Sequence, residues 1–496
     1  MNANDTIVAI STPPGRGGIG IVRLSGPASV EIARGLFMPG ASRAGNFDFS
    51  AKQAELNQVE PNQVVVGHVI DAESRETVDT AVLTYFKGPK SYTGEDVVEI
   101  SCHGSPVVLA LVLNLALALG ARIAEPGEFT MRAFLNHRID LAQAQAVRDL
   151  IDSQTSYQAR LANRQLDGAL TKRIGPLKDA LVDVIVHLES SIEFVEDDIS
   201  PETRSVLIDK LSSVSAGLCE IGSSFALGRY VRQGFGLAIV GRPNVGKSSI
   251  FNRLIGADRA IVTEVPGTTR DALHESTSIR GIPVRLIDTA GIRETADLVE
   301  SIGITRTREA IADADIQLLV LDASEPLTGD DATLIHETPA LSRIILLNKS
   351  DLPQKLEVPP PGGSCVSDIE FSLTVGPAIP AGNPITRDLA RDTVIRISAL
   401  TGDGFDALAD HILGRLGGSQ ATAGDDIMIT DARQHQAIQS ANAALTEVRN
   451  LMIGGELEEI LLLKLRAALQ AIGEISGETL TEDILSQIFS TFCIGK

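Results

Sequence analysis

The chain has 496 residues, 44% hydrophobic and 22% charged, the balance of an ordinary globular protein, which excludes disorder as its default state. At about 150 residues per domain it has room for roughly three cores. A net charge of −21 gives no whole-protein attraction to nucleic acid, so an RNA partner would have to meet a local patch, such as Arg160 to Arg173 or Arg229 with Arg232. A solvated helix face is the simpler reading of both.

The opening MNANDTIVAIST carries an acid and no basic cluster before its apolar residues, unlike a secretory or transit peptide. From Met1 to Asn136, short β-rich runs (TIVAIST, GIGIVRLSG, QVVVGHVID, DTAVLTYF, DVVEISCHG) and one clear helix after Pro106 predict an α+β domain. Gly15-Arg16-Gly17-Gly18-Ile19-Gly20 matches G-x-G-x-x-G, but strand-like IVRLSG follows it and offers no helix N-terminus to a pyrophosphate. A tight glycine turn is predicted there. The run VVLALVLNLALALG from Val107 is too short for a bilayer, holds Asn114 in its middle, and reads as a buried helix.

Residues 137–232 change to helical spacing with few breakers, as in DLAQAQAVRDLIDSQ and PLKDALVDVIVHLESSIEF. Residues 233–418 alternate apolar runs (FGLAIVG, IPVRLID, IQLLVLD, RIILLNK, VIRIS) with helical stretches, which predicts a parallel α/β sheet. Helices resume over 419–496. The economical architecture is an α/β domain inserted between two halves of one helical domain. VPPPGGS and GPAIPAGNP lie inside the α/β segment and read as a surface insertion loop. Cys102, Cys219, Cys365 and Cys493 are far apart with no C-x-x-C pair, which fits a reducing, cytoplasmic setting and supports neither a zinc cluster nor a disulfide framework. The terminal FCIGK is a poor prenylation box, because Gly495 and Lys496 do not suit C-a-a-X.

The strongest motif is GRPNVGKS, Gly241 to Ser248, placed after a strand and before a helix. Its glycines let backbone N–H groups turn toward phosphate oxygens, Lys247 reaches the outer phosphates, and Ser248 offers a hydroxyl to magnesium. Three partners follow in the order a GTPase requires. Asp288-Thr289-Ala290-Gly291 ends a strand, with a carboxylate for magnesium and a glycine amide for the γ-phosphate. Asn348-Lys349-Ser350-Asp351 ends another, where Asp351 can accept from both donors on the guanine Watson–Crick edge, a pair that adenine lacks. Ser398-Ala399 closes the set with backbone N–H near the guanine carbonyl. Ile292 follows the DTAG motif where many small GTPases place a water-orienting glutamine, so Glu294, Asp297 or Glu300 is left to take that task. In the loop from Thr263 to Thr269, Thr269 is placed to give magnesium its second hydroxyl. Thr263, Thr268 and backbone carbonyls can ring a monovalent cation, which Asn244 would complete unless it is simply a turn residue.

Together with TEVPGTTRD, DTAGIRE, TPPGRGGIGIVRLSG, SYTGEDVVEISCHG, EPGEFTMRAFLNHRIDLAQAQAV and terminal FCIGK, these motifs make the chain resemble the tRNA modification GTPase MnmE (TrmE) family over nearly its whole length. The stretches 40–61 and 351–394 are the exceptions. The resemblance implies a multidomain α/β and α fold in four segments. These are an N-terminal α+β tetrahydrofolate-binding-like and dimerisation domain (1–136), a discontinuous helical domain (137–232 and 419–496), and an inserted Ras-like P-loop GTPase domain (233–418). It implies a homodimer that hydrolyses GTP with Mg2+ and K+. It further implies a reduced folate such as 5-formyltetrahydrofolate and an MnmG-type FAD protein as partner, together modifying C5 of the wobble uridine of certain tRNAs with an aminomethyl or carboxymethylaminomethyl group.

By motif, the resemblance places GTP contacts on Asn244, Val245, Gly246, Lys247, Ser248 and Ser249, on Thr263, Glu264, Val265, Pro266, Gly267, Thr268 and Thr269, and on Asp288, Thr289, Ala290 and Gly291. Further contacts fall on Asn348, Lys349, Ser350 and Asp351, and on Ser398, Ala399 and Leu400. Magnesium falls to Ser248 and Thr269; potassium falls to Asn244, Thr263, Val265 through its carbonyl, and Thr268. Glu300 matches the catalytic glutamate. Folate contacts fall on Arg23, Glu99, Arg138 and Lys496, with arginine at 138 where relatives can carry lysine. The tail points toward the folate pocket in the family, which makes Cys493 a reactive or positioning group, against the alternative of a small buried thiol. A different class of function, a ribosome-assembly or regulatory GTPase without one-carbon chemistry, is the competing reading.

Overall fold

The structure is a computed structural model that describes residues 5–40, 61–193, 201–257, 275–288, 314–338, 342–355, 393–418 and 428–495. The chain divides into two compact units, one built from Met1–Arg148, Leu166–Thr171 and Gln470–Lys496, the other from Asp149–Gln165 and Lys172–Leu469.

The first unit is organised by a seven-stranded sheet in the order β3-β4-β5-β6-β2-β1-β7, from β1 (Ile7–Ile10), β2 (Gly17–Ser25), β3 (Phe37–Pro39), β4 (Val64–Ile70), β5 (Thr77–Phe86), β6 (Val97–Gly104) and β7 (Arg122–Ile123). All pairings are antiparallel except β1 with β7. Alternating residues, among them Val22, Leu24, Leu83, Val98 and Ile100, point to one face and form a core with α1 (Ser29–Leu36) and α2 (Pro106–Ala118). The run from Val107 is α2, but it is not a buried helix. Leu109, Val112 and Ala116 are buried while Val107 is 68% and Leu111 47% exposed, because a helix lying on one sheet face covers only one stripe of its surface. GIGIVRLSG is strand β2, as the rejection of a dinucleotide turn requires.

Behind β1, α3 (Glu128–Leu135) carries a buried charge cluster. Glu128, 1% exposed, accepts from Arg122 at 2.6 Å and from Arg132, one helical turn on, at 3.0 Å. Arg132 also pairs with Asp5 at 2.5 Å and Glu95 at 3.1 Å. Burial alone raises the Asp5 and Glu128 carboxyls, but hydrogen bonds from Arg122 and Arg132 outweigh it and hold both below the usual carboxylate range. The C-terminal residues close this unit, with Phe489 and Phe492 packed beside Met131 and Leu141.

In the second unit the helical segments are α4 (Leu141–Ile151, whose last turn belongs here), α5 (Ser156–Leu166), α6 (Ala169–Glu193), α7 (Pro201–Ser223) and α8 (Phe225–Gln233). A six-stranded sheet follows in the order β13-β12-β11-β8-β10-β9. Its strands are β8 (Phe235–Val240), β9 (Glu275–Ile279), β10 (Ile282–Asp288), β11 (Ile316–Asp322), β12 (Arg343–Asn348) and β13 (Thr393–Arg396), with helices α9 (Lys247–Ala257), α10 (Gly329–Glu337) and α11 (Phe405–Leu413). The five strands named from apolar runs are parallel as expected, and β9, an edge strand with no such run, pairs antiparallel with β10. β8, β11 and β12 are buried along their whole length because helices cover both faces, which is why they read as unbroken apolar runs.

After the sheet come α12 (Ala432–Gly454), α13 (Glu458–Ser476) and α14 (Glu482–Phe489). α7 packs along α12, with Ser215 Oγ donating to Asn442 Oδ1 at 2.9 Å, so helices from before and after the sheet form one discontinuous layer. The basic patch considered at Arg229 and Arg232 is not one. Arg232 pairs with Asp149 at 2.8 Å and Asp431 at 2.9 Å, and Arg229 lies over the Tyr230 ring. The insertion expected around VPPPGGS and GPAIPAGNP falls outside the described residues. No helix among the described residues is long and apolar enough to cross a membrane.

Removing one member of a buried ion cluster leaves its partners uncompensated. Glu128→Gln is expected to lower unfolding stability by about 3 kcal/mol in urea titrations of the full chain. Because Asp5 and Glu128 titrate low in the folded state, the stability they contribute is complete at neutral pH and is lost as pH falls through their folded values. The wild-type urea midpoint therefore drops from about pH 5 downward, and drops less in the variant.

Candidate functional site: a phosphate loop and a base loop at the strand ends

The parallel strands of the second sheet all end on one edge, the edge where open α/β sheets hold ligands. β8 delivers Gly241 to Gly246, and α9 starts at Lys247, so the helix N-terminus opens directly from the loop. Asn244 (φ 64°) and Gly246 (φ 100°) both adopt left-handed backbone, which wraps the loop, while Val245 is fully buried as its plug. Lys247 Nζ donates to the carbonyls of Gly241 and Arg242 at 2.7 and 2.8 Å, lying across the loop's mouth. Ser248 and Ser249 are exposed in the first turn of α9.

β12 delivers Asn348, 2% exposed, whose side chain does not reach outward. Its Nδ2 donates to Val245 O at 2.8 Å, and its Oδ1 accepts from Ala399 N at 3.0 Å. One amide thus ties the phosphate loop to the loop after β13. A Cβ on Gly246 would stand 2.2 Å from that Nδ2, so the loop closes on Asn348 only with glycine at this position. Lys349, also left-handed at φ 63°, pairs with Asp322 at 2.5 Å. Burial raises the Asp322 carboxyl, but hydrogen bonds from Lys349 and Ser324 prevail and hold it below the usual range. Asp351 Oδ1 accepts from Ser398 Oγ at 2.6 Å, and Ser350 N donates to Ile397 O at 3.1 Å, which locks the two base-side loops together.

The structure therefore brings together Asn244 to Ser249, Asn348 to Asp351 and Ser398 to Leu400. Asp288 is the last residue of β10, beside β8, and so ends on the same edge. Thr263, Glu264, Val265, Pro266, Gly267, Thr268, Thr269, Thr289, Ala290, Gly291 and Glu300 lie outside the described residues. The bracing role of Asn348 was hidden in the sequence. Arg253, whose guanidinium meets the carbonyls of Ala399, Leu400 and Thr401, was missed altogether because nothing in its spacing marks it.

In the first unit, Arg23 on β2 and Glu99 on β6 are cross-strand partners, paired at 2.8 Å. The Arg23 guanidinium lies 5.7 Å from the centroids of both the Tyr92 and Phe129 rings, and its Nη1 donates to Gly495 O at 3.3 Å. Ser11 Oγ donates to the same carbonyl at 3.0 Å, and Gly127 N donates to Cys493 O at 3.3 Å, so the tail is stitched beside the Arg23–Glu99 pair. Cys493 is exposed, which overturns the buried-thiol alternative; Cys102 is the buried one, its thiol pushed up to about 12 by burial and then by Asp79. Arg138 donates through Nε to Ser91 O at 3.2 Å, next to Tyr92. Lys496 lies outside the described residues. Ser11, Tyr92 and Phe129 were not anticipated; only the presence of Tyr92 within SYTGEDVVE hinted at it.

The family model described as GTP-binding protein TrmE N-terminus matches residues 6–138, and the MnmE helical domain matches residues 141–493. The chain belongs to the MnmE family. Curated relatives agree along the full length. Proteins named tRNA modification GTPase MnmE are 46% identical in Koribacter versatilis, over all of both chains, and 40% identical in Lacticaseibacillus paracasei, over all of this chain and 99% of that one. Among solved structures, the G domain of the T. maritima FeoB iron transporter covers 36% of this chain and 98% of its own at 23% identity and a TM-score of 0.24, too low a likeness to bear on function.

Gly246→Ala is expected to weaken binding of a fluorescent GDP analogue by more than about tenfold, since the added methyl must displace Asn348 and strain a left-handed residue. The far-UV circular dichroism of the full chain should stay unchanged.

Proposed function

We propose that the protein is a GTP-hydrolysing enzyme of tRNA modification that acts on the wobble uridine. The observation that carries this reading is the Asn348 brace, a phosphate loop and a base loop fixed to each other, inside a chain matched along its length by MnmE relatives. GTP is held with its phosphates over Gly241 to Ser249 and its base between Asp351 and the 398–400 loop. The donor chemistry fits the ions. Ser248 exposes a hydroxyl at a helix N-terminus for Mg2+ with Thr269, and the exposed, left-handed Asn244 suits K+ with Thr263, Val265 and Thr268. When bound, these cations offset charge developing on the phosphates. Glu300 orients water in place of the missing glutamine. The amides of the α9 N-terminus and Lys247 hold the phosphates, and Asn348 keeps the two loops in register through the cycle.

In the first unit, Arg23, Glu99, Arg138 and Lys496 bind a reduced folate. A carboxylate grips the amide-like edge of the pterin, cations meet the glutamate tail, and Cys493, exposed in the tail whose Gly495 carbonyl accepts from Arg23, acts on or positions the one-carbon unit. The working species is a homodimer with an MnmG-type flavoprotein, and its G domains pair when potassium and GTP bind. We assign the segments 1–136, 137–232, 233–418 and 419–496 as the corresponding domains.

Mass spectrometry of nucleosides from bulk tRNA of cells lacking the gene is expected to show loss of the C5-modified wobble uridine. An unchanged nucleoside profile would favour the assembly or regulatory reading. In purified protein, GTP turnover should be at least about tenfold faster in potassium than in sodium, and Asn244→Ala should abolish that difference. Equal rates in the two salts would remove potassium from the mechanism.

A further inference from the structure

Arg253 lies on α9, six residues and about 9 Å of helix rise beyond Lys247. Its Nη1 donates to Ala399 O and Leu400 O, both at 3.0 Å, and its Nη2 donates to Thr401 O at 2.8 Å. Three consecutive carbonyls therefore converge on one planar cation, whose face also lies over the Phe405 ring at 5.6 Å. The next residue is Gly402, at φ 96°, where a Cβ would fall 2.0 Å from Nη2. The loop and the guanidinium fit each other only with glycine there.

This clamp fixes the direction of the amides as well as the carbonyls. A trans peptide points its C=O and N–H to opposite sides, so Leu400 N–H, which shares a plane with Ala399 O, faces away from Arg253. Thr401 N donates to Ser398 Oγ at 3.1 Å and Gly402 N to Ser398 O at 2.8 Å, which closes the remainder of the turn. Ala399 N meets Asn348, and Ser398 meets Asp351, so the same loop is already joined to the residues of the base side.

We propose that Arg253 is a positioning residue for base selection, holding the 399–401 backbone so that the Leu400 N–H presents to the exocyclic carbonyl oxygen of guanine. The proposal rests on the reading of the 398–400 loop as the base loop. It also ties that loop to the helix that grows out of the phosphate loop, so phosphate and base are gripped from one element.

The test uses the full chain and three diphosphates. GDP carries the exocyclic oxygen, the ring N1–H and the amino group; IDP lacks only the amino group, and the 2-aminopurine riboside diphosphate lacks the oxygen together with N1–H. The oxygen contact is therefore read from how that discrimination changes between the wild type and the variants, all of which keep Asp351. In the wild type GDP should bind much tighter than the 2-aminopurine analogue. Arg253→Ala should shrink that preference about tenfold, leave the GDP-to-IDP ratio set by Asp351 unchanged, and raise KM for GTP with kcat preserved. Arg253→Lys should restore part of the preference, and Gly402→Ala, which displaces the guanidinium, should reproduce the loss and carry the test if Arg253→Ala does not fold. A preference for the oxygen kept intact in both Arg253→Ala and Gly402→Ala, or a loss equal for all three nucleotides, overturns the proposal. A wild type indifferent to the oxygen overturns the base-loop reading itself.

Discussion

The amide of Asn348 is the constraint on which the nucleotide edge of the sheet depends. Buried at 2% exposure, it spends its donor on Val245 O and its acceptor on Ala399 N, and both partners are backbone groups of the two loops. A buried amide left unpaired is costly, so the two loops and the strand end that carries Asn348 settle together or not at all. The approach is close enough that Gly246 can carry no side chain. Geometry that a ligand would otherwise have to impose is already built into the chain, which lowers the ordering cost of binding one.

The first unit uses the same device with charge in place of an amide. Arg23 and Glu99 face each other across β2 and β6, and the guanidinium has donors left over for the carbonyl of Gly495 while its flat faces lie by Tyr92 and Phe129. The last residues of the chain are thereby fixed to its second strand, and an exposed thiol at Cys493 is held at a defined place by its own backbone carbonyl. Tail and strand are more than 470 positions apart in sequence, so only a folded sheet can assemble this group.

The elements with strong periodicity were legible: every strand named from apolar runs is present, as is the discontinuity of the helical layer. The motif loops were legible too, because glycine, lysine and aspartate at fixed offsets carry chemistry that few alternatives explain. What was lost was tertiary in origin. α1, α3 and β7 are short and owe their existence to packing more than to pattern, and the exposure of Val107 and Leu111 on α2 depends on how many faces of a helix the sheet covers. Arg232 read as a surface charge because its partners Asp149 and Asp431 are brought in from distant segments. Arg253 was silent for the same reason, since carbonyl oxygens leave no trace in a sequence.

The sheet order explains how the phosphate side and the base side stay in register. β11 lies between β8 and β12 and contributes none of the residues assigned to the nucleotide, yet its end holds both neighbours. Asp322 takes Lys349 of the base-side loop, while Glu325 and Asp331, just beyond, take Arg242 of the phosphate loop at 2.6 and 3.4 Å. Asp331 also closes the capping box of α10 with Thr328, so the acid facing Arg242 is itself fixed to a helix start. Ion pairs at such positions add little net stability, because desolvation cancels much of the attraction. Their value is directional, since Lys349 meets Asp322 and Arg242 meets Glu325 and Asp331, and the loops cannot slide without leaving a charge behind. The strand between them thus determines where the loops of its two neighbours stand.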